Sequence, residues 1–326
     1  MVLLVPPAAS GCYYAHLASG QLRILMARQP IEDLRADSET PDRLREQLAL
    51  VERARTFAGE LGLDVGGRYT SYVDWPGDRI VTTVVATNPG EVEAAGFRFP
   101  LVGEVPYKGF FDVASAEDEA QALREDGLDV CVVPVTAYST LGWMDDPVTA
   151  PMLRRGDARL VETLLHELVH ATVFVPDRPE FNEGVARFIG QEAAVRFDRS
   201  VALRTRVFED RQIAAEILAF RERVAALYAH TKEPADAAAQ RSTLEGAFRK
   251  QLASLPLTSR DPASFAARAR LNDACLALSG TYAADDAPLE RLLGELDGDL
   301  VRFIERLREA AKAEDPRENF FRAPGT

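Results

Sequence analysis

The chain has 326 residues, of which 47% are hydrophobic and 27% charged, the balance of a soluble globular protein long enough to bury a sizeable core. A net charge of −13 and a pI near 4.9 exclude the broad basic surfaces that hold nucleic acid or adhere to anionic lipid. No apolar run reaches the roughly 18 to 20 residues of a spanning helix.

Met1 to Gly11 reads MVLLVPPAASG, an apolar and small-residue run that ends at Cys12. It reads as the end of a bacterial lipoprotein signal truncated at its start, with Cys12 as the lipidated residue. The expected attachment to a membrane is therefore a lipid anchor at Cys12 rather than a transmembrane helix. Stable anchoring takes two or three chains, because one acyl chain binds only marginally. The expected location is the bacterial cell envelope, facing the periplasm, or the cytoplasm if the segment is not a signal.

Residues 13 to 29 predict a helix on Leu17, Leu22, Ile24 and Leu25, ended by Pro30. Residues 41 to 62 predict a second, with Pro41 in its first turn and Gly62 at its stop. From 67 to 136 the pattern turns to strands: Tyr69 to Val73, Ile80 to Ala86, Phe97 to Leu101, Gly109 to Val113 and Val130 to Val135. With an acidic helix over 114 to 127, they predict a small mixed sheet. Cys131 reads as a buried hydrophobe in its strand. Cys131 and Cys275 permit a disulfide in an oxidising compartment without implying one.

The next stretch, Tyr138 to Asp146 (YSTLGWMDD), predicts a loop dense in polar and aromatic groups. Trp143 reads as core or pocket wall, and Asp145 and Asp146 before Pro147 read as a turn. From Asp157 a helix runs to about Phe174, and Pro176 to Pro179 breaks it. A further helix starts near Phe181. Ala202 to Ala311 is almost wholly helical in pattern, with apolar stripes and Glu-Arg pairs on the other faces. His230 reads as a surface residue and His16 as no ligand. The tail from Glu314 is polar, carries prolines and is expected to fray.

The chemistry concentrates in the 157–195 region. His166-Glu167-Leu168-Val169-His170 is an H-E-x-x-H motif, and it takes two of only four histidines in the chain. Four residues apart on a helix, His166 and His170 share one face and can both bind one zinc ion. Glu167 sits near that face, where it can activate a metal-bound water as general base and acid. Leu164, Leu165, Leu168 and Val169 make the surroundings apolar, so these polar groups need partners or a metal. Three protein ligands leave the open position of a catalytic zinc. Glu183, in Asn182-Glu183-Gly184 after the helix break, is the expected third, with Glu192 and Glu180 as fallbacks. Asn182 is expected to brace a ligand or to cap the helix, Gly184 to allow close packing, and Arg187 to be solvated or to pair with an acidic neighbour.

H-E-x-x-H followed by N-E-G-x-A resembles the gluzincin group of zinc peptidases. Further stretches resemble the bacterial putative aminopeptidase family: Ser10-Gly11-Cys12-Tyr13-Tyr14, Gly20-Gln21-Leu22, Pro106-Tyr107-Lys108-Gly109-Phe110-Phe111 and Tyr138-Ser139-Thr140-Leu141-Gly142-Trp143. The likeness spans about residues 10 to 200. It implies two His and one Glu as ligands, peptidase activity, and an edge strand beside the zinc helix that binds extended substrate. The Cys131 strand is the candidate for that edge, and Leu271 to Tyr282 a candidate segment to close over the site. A tyrosine hydroxyl can serve the oxyanion, with Tyr138 first and Tyr107 second. Glu104 or Asp145 can hold a substrate amine. No stretch closely matches the G-x-M-E-N motif of the well-known zinc aminopeptidases.

The expectation is an α+β, mainly helical protein. A small mixed sheet lies in the first half, then the zinc-binding H-E-x-x-H helix, then a helical second half. One metallopeptidase domain covers 13–313, between the 1–12 signal and the 314–326 tail. One Zn2+ per chain serves hydrolysis of a peptide or protein substrate, as an aminopeptidase. A cell-envelope endopeptidase or an anchored, non-enzymatic binding protein with a degenerate site are the rival readings.

Overall fold

The computed structural model describes residues 3–4, 7–99, 103–137, 145–176, 178–231, 233–283 and 286–322. Helices dominate, and the strands are short and confined to the first half, an α+β protein that is mainly helical. The chain forms two compact units, each assembled from three separated stretches. No helix among the described residues is long and apolar enough to cross a membrane.

One unit comprises Met1–Arg23, Val81–Val135 and Thr205–Ala283. Its main sheet is antiparallel, with Val81–Thr87 between Lys108–Phe110 and Asp129–Val135. Alternation along the strands divides their side chains between two faces. Val84, Ala86, Phe110 and Val130 meet Ala116, Ala120 and Leu123 of the helix Val113–Glu125. Val85 and Cys131 meet Ala274 and Cys275 of the helix Asp273–Ala283. On that second face Cys131 and Cys275 form a disulfide across 144 positions of sequence. Leu3–Leu4, Phe97–Phe99 and Gly103–Val105 form a separate mixed sheet. The helix Pro7–Met26 docks by the Tyr13 hydroxyl donating to the Gly109 carbonyl at 2.9 Å. His16 Nε2 accepts from the Phe111 N–H at 2.9 Å. His230 is exposed at the end of its helix.

The Asp129–Val135 strand is an edge, but not a free one. Asn272 Nδ2 donates to the Val130 carbonyl at 3.0 Å and Arg270 Nη1 to the Val132 carbonyl at 2.6 Å. Side chains already occupy acceptors that an added strand would use, which counts against the expected substrate-binding edge.

The other unit comprises Ile24–Ile80, Thr136–Arg204 and Ala284–Thr326. Gln29–Pro30, Ser71–Val73 and Val148–Thr149 form its mixed sheet. Among the described residues the strands fall into three small sheets, because strand pairing joins residues far apart and local alternation does not name the partner. In the same unit the helices Asp42–Glu60, Asp157–Thr172 and Pro179–Asp198 pack against one another. The tail also departs from expectation. Pro316–Phe321 is a helix capped by Asp315, and Phe320 is fully buried, 5.2 Å from the Phe303 ring and 5.8 Å from the Phe181 ring. Two aromatic side chains in an otherwise polar segment supply enough apolar area to dock it.

Candidate metal centre

The helix Asp157–Thr172 carries the H-E-x-x-H motif. Leu160, Val161, Leu164, Leu165, Leu168 and Val169 recur at helical spacing and are all buried. Each such side chain contributes on the order of 2 kcal/mol of gross burial energy. The helix starts after Gly156, whose φ of 87° turns the chain in a way that favours glycine. It starts at Asp157, as expected, and the Asp157 carboxylate is bound by Gln47 and Arg43. At its other end the Thr172 hydroxyl donates to the Leu168 carbonyl at 2.6 Å and accepts from the Asp64 N–H at 2.8 Å.

Pro179 does not merely break the chain; it opens the next helix, two residues earlier than predicted. Glu183 is thus the fifth residue of Pro179–Asp198, in its second turn. The connection is clamped by Asn182, whose Nδ2 donates to the Val175 carbonyl at 2.8 Å and whose Oδ1 accepts from the Val175 N–H at 2.9 Å. Asn182 therefore braces the loop between the two ligand-bearing helices rather than a ligand. Close helix approach occurs at Gly190, where a Cβ would lie 3.1 Å from the backbone N, Cα and Cβ of His166.

These two helices bring His166, His170 and Glu183 together. The two histidine Nε2 atoms are 3.1 Å apart, with ring planes at 81°. Glu183 Oε2 is 3.4 Å from His166 Nε2, and Oε1 is 3.5 Å from His170 Nε2. Tetrahedral zinc with bonds of about 2.0 to 2.1 Å needs donor atoms about 3.3 Å apart. All three separations fall around that value, so the donor set and its spacing fit a divalent metal. The triad is also recessed: the His170 side chain is 7% exposed, His166 19% and Glu183 26%. Glu180 and Glu192 are not part of it, and Glu192 pairs with Arg196. Arg187 takes the second of its two expected states, an ion pair with the acidic Asp286, in which both side chains are largely buried.

The electrostatics follow from burial and neighbours. Burial pushes the Glu183 carboxyl up, but the hydrogen bonds and charges of His166 and His170 outweigh it and the net direction is down. Burial disfavours the charged His166, yet the Glu183 hydrogen bond and the charges of Glu167, Glu183 and Glu162 raise it. Glu167 is raised, by burial first; His166 and His170 oppose the shift while Glu183 and Asp146 add to it. A base raised this way takes and returns protons nearer neutral pH than an exposed carboxylate does.

Two residues coupled electrostatically with Glu167 were not read as part of the site. Asp146, read as a turn, is 2% exposed, and its charge acts on Glu167. Tyr69, read only as the start of a strand, is buried and pushed well above its ordinary value by burial and then by the charges of Glu167 and Asp146. Asp145 is exposed, its carboxylate against Gly67. Tyr107 is 49% exposed and belongs to the other unit. Tyr138, Trp143 and the side chains of Cys12 and Glu104 lie outside the described residues.

The model of the family described as Putative aminopeptidase matches residues 12–320. No curated protein and no solved structure matches the chain.

Proposed function

Because the chain belongs to the putative aminopeptidase family over nearly its whole length, we propose that it is a zinc metallopeptidase of the gluzincin type, acting as an aminopeptidase. The observation that carries this is the convergence of the His166, His170 and Glu183 donor atoms at 3.1 to 3.5 Å, with the largely buried Glu167 beside them.

In this reading His166 and His170 hold the metal from one helix face and Glu183 holds it from the next helix. Zinc, when bound, supplies Lewis acidity toward the peptide carbonyl and makes water more acidic. Glu167 takes the proton of the attacking water and delivers it to the nitrogen of the leaving amine. Gly190 and Asn182 fix the separation of the two helices and hence the ligand geometry. A lipid anchor at Cys12 and a periplasmic location complete the proposal. The Cys131–Cys275 disulfide supports an oxidising compartment, since such bonds are rare where cytosolic thiols stay reduced.

The test is metal content together with cleavage of free-amine and N-blocked peptide libraries. About one zinc per chain and cuts only at free N-termini is the expected result. One zinc with internal cuts replaces the aminopeptidase with an endopeptidase. Folded, never-chelated protein without zinc refutes the reading.

A further inference from the structure

The helix Pro179–Asp198 presents two faces to its surroundings. Glu183 and Gly190, one heptad apart, share the face turned to the His166 helix. Phe181 and Phe188, also one heptad apart, lie about 200° round from them. Both phenylalanines are buried, and what they rest on comes from the end of the chain. The Phe181 ring lies 5.8 Å from Phe320 and 6.5 Å from Phe321. The Phe188 ring lies 5.6 Å from Phe303, which is in turn 5.2 Å from Phe320.

The helix that supplies Phe320 depends on this contact. Pro316–Phe321 spans six residues, and a helix shorter than about 12 to 15 residues is marginal by itself. Asp315 caps it by accepting from the Glu318 N–H at 3.0 Å, and Arg306 Nε donates to the Phe320 carbonyl at 2.7 Å. The ligand helix needs the support in its turn. It begins after Arg178, which gives no side-chain cap, and helix ends fray. Asn182 fastens the preceding loop, and the aromatic seat fastens the helix from behind. Glu183 stands two residues after Phe181 on this helix. Ligand distances tolerate only about 0.2 Å, so a small shift of the helix start takes the carboxylate off a metal.

We propose that the C-terminal helix is a clasp for the metal centre, with Phe320 as a positioning residue that fixes Glu183 through Phe181. The inference rests on the metallopeptidase reading, and its test separates the two. In the full chain, Phe320→Ala lowers zinc affinity about 10- to 100-fold, the range for loss of a group that orients a metal ligand. The absorption bands of the cobalt-loaded protein shift, since they report ligand geometry. Phe320→Leu keeps most of the volume and shows a smaller change of the same sign. Phe248→Ala is the control for plain destabilisation. It empties an equally buried site in the other unit, where Phe248 stacks on Phe220 at 4.3 Å. It lowers Tm and leaves zinc affinity and the cobalt bands as in wild type.

Hydrogen exchange in the metal-free protein gives a readout that needs no metal. Phe320→Ala speeds exchange over 179–190 and leaves the helix Asp157–Thr172 as in wild type. That result in a chain whose wild type binds neither zinc nor cobalt upholds the clasp on the helix and defeats the metal reading. Zinc affinity within twofold of wild type in Phe320→Ala overturns the proposal, as does wild-type exchange over 179–190. An equal loss of zinc affinity in Phe248→Ala also overturns it, because Phe320 would then act through overall stability alone. If Phe320→Ala does not fold, unchanged zinc affinity in Phe320→Leu overturns the proposal in the same way.

Discussion

Gly190→Ala sets two effects of opposite sign against each other at the metal centre. Alanine is the better helix former by about 1 kcal/mol, so at an open helical position the change would stabilise. At Gly190 the new methyl would meet three His166 atoms at 3.1 Å. Carbon contacts are comfortable at about 3.5 to 4.0 Å, so the two helices must separate by about 0.5 Å. Such overpacking costs about 1 to 3 kcal/mol, which cancels or exceeds the propensity gain. The metal feels the same displacement. Gly190 lies two turns beyond Glu183 on the same helix face, and ligand distances tolerate only about 0.2 Å. Zinc affinity should fall about 10- to 100-fold, equivalent to about 1.4 to 2.8 kcal/mol. Competition with a chromophoric chelator measures the affinity, and thermal unfolding of metal-free protein measures the packing cost. A variant about 1 kcal/mol more stable than wild type, with unchanged zinc affinity, would refute the claim that this glycine sets the spacing of the ligand helices.

Glu167→Gln should keep zinc and lose about 10²- to 10⁴-fold in kcat, whereas Glu183→Gln should lose zinc as well; metal analysis with peptide assays checks both, and full turnover by Glu167→Gln would end its assigned role. Replacing both cysteines, Cys131→Ala with Cys275→Ala, opens a loop of 144 residues. Chain entropy sets an upper bound of about 5 kcal/mol on the loss, and 2 to 5 kcal/mol is expected. Denaturant titration with and without reductant should show wild type falling to the level of the variant, and free thiols at Cys131 and Cys275 in native wild type would contradict the bond. Glu209 is 2% exposed and accepts from Ser259 and Thr258; burial pushes its carboxyl up, but these hydrogen bonds outweigh it and hold it at about 2 against an ordinary 4.5. Because the folded value is the lower one, its stabilisation is complete above about pH 4.5 and is lost as pH falls toward 2. Glu209→Gln should therefore cost about 2 kcal/mol near neutral pH, with the difference from wild type vanishing in acid unfolding curves near pH 2; an equal difference at both pH values would contradict the assignment.

The motif helix and the triad were legible in the amino-acid order because their information is local. His166 and His170 share a face by helical period alone, the Leu and Val stripe around them demands burial, and the prolines after Val175 force a second helix that returns Glu183. What depends on non-local packing was not legible. Strand period identified Val81–Thr87 and Asp129–Val135 but could not tell that Ser71–Val73 pairs with Gln29–Pro30 and Val148–Thr149. Nor could it tell that Arg270 and Asn272 occupy the edge carbonyls, or that Cys131 and Cys275 face each other. Gly190 carries no local mark either, because a helical glycine matters only for what it touches. Sequence by itself determined which groups can do chemistry. Tertiary structure decided how far apart they stand and what holds them there, because helix spacing and backbone strain come from contacts between residues distant along the chain.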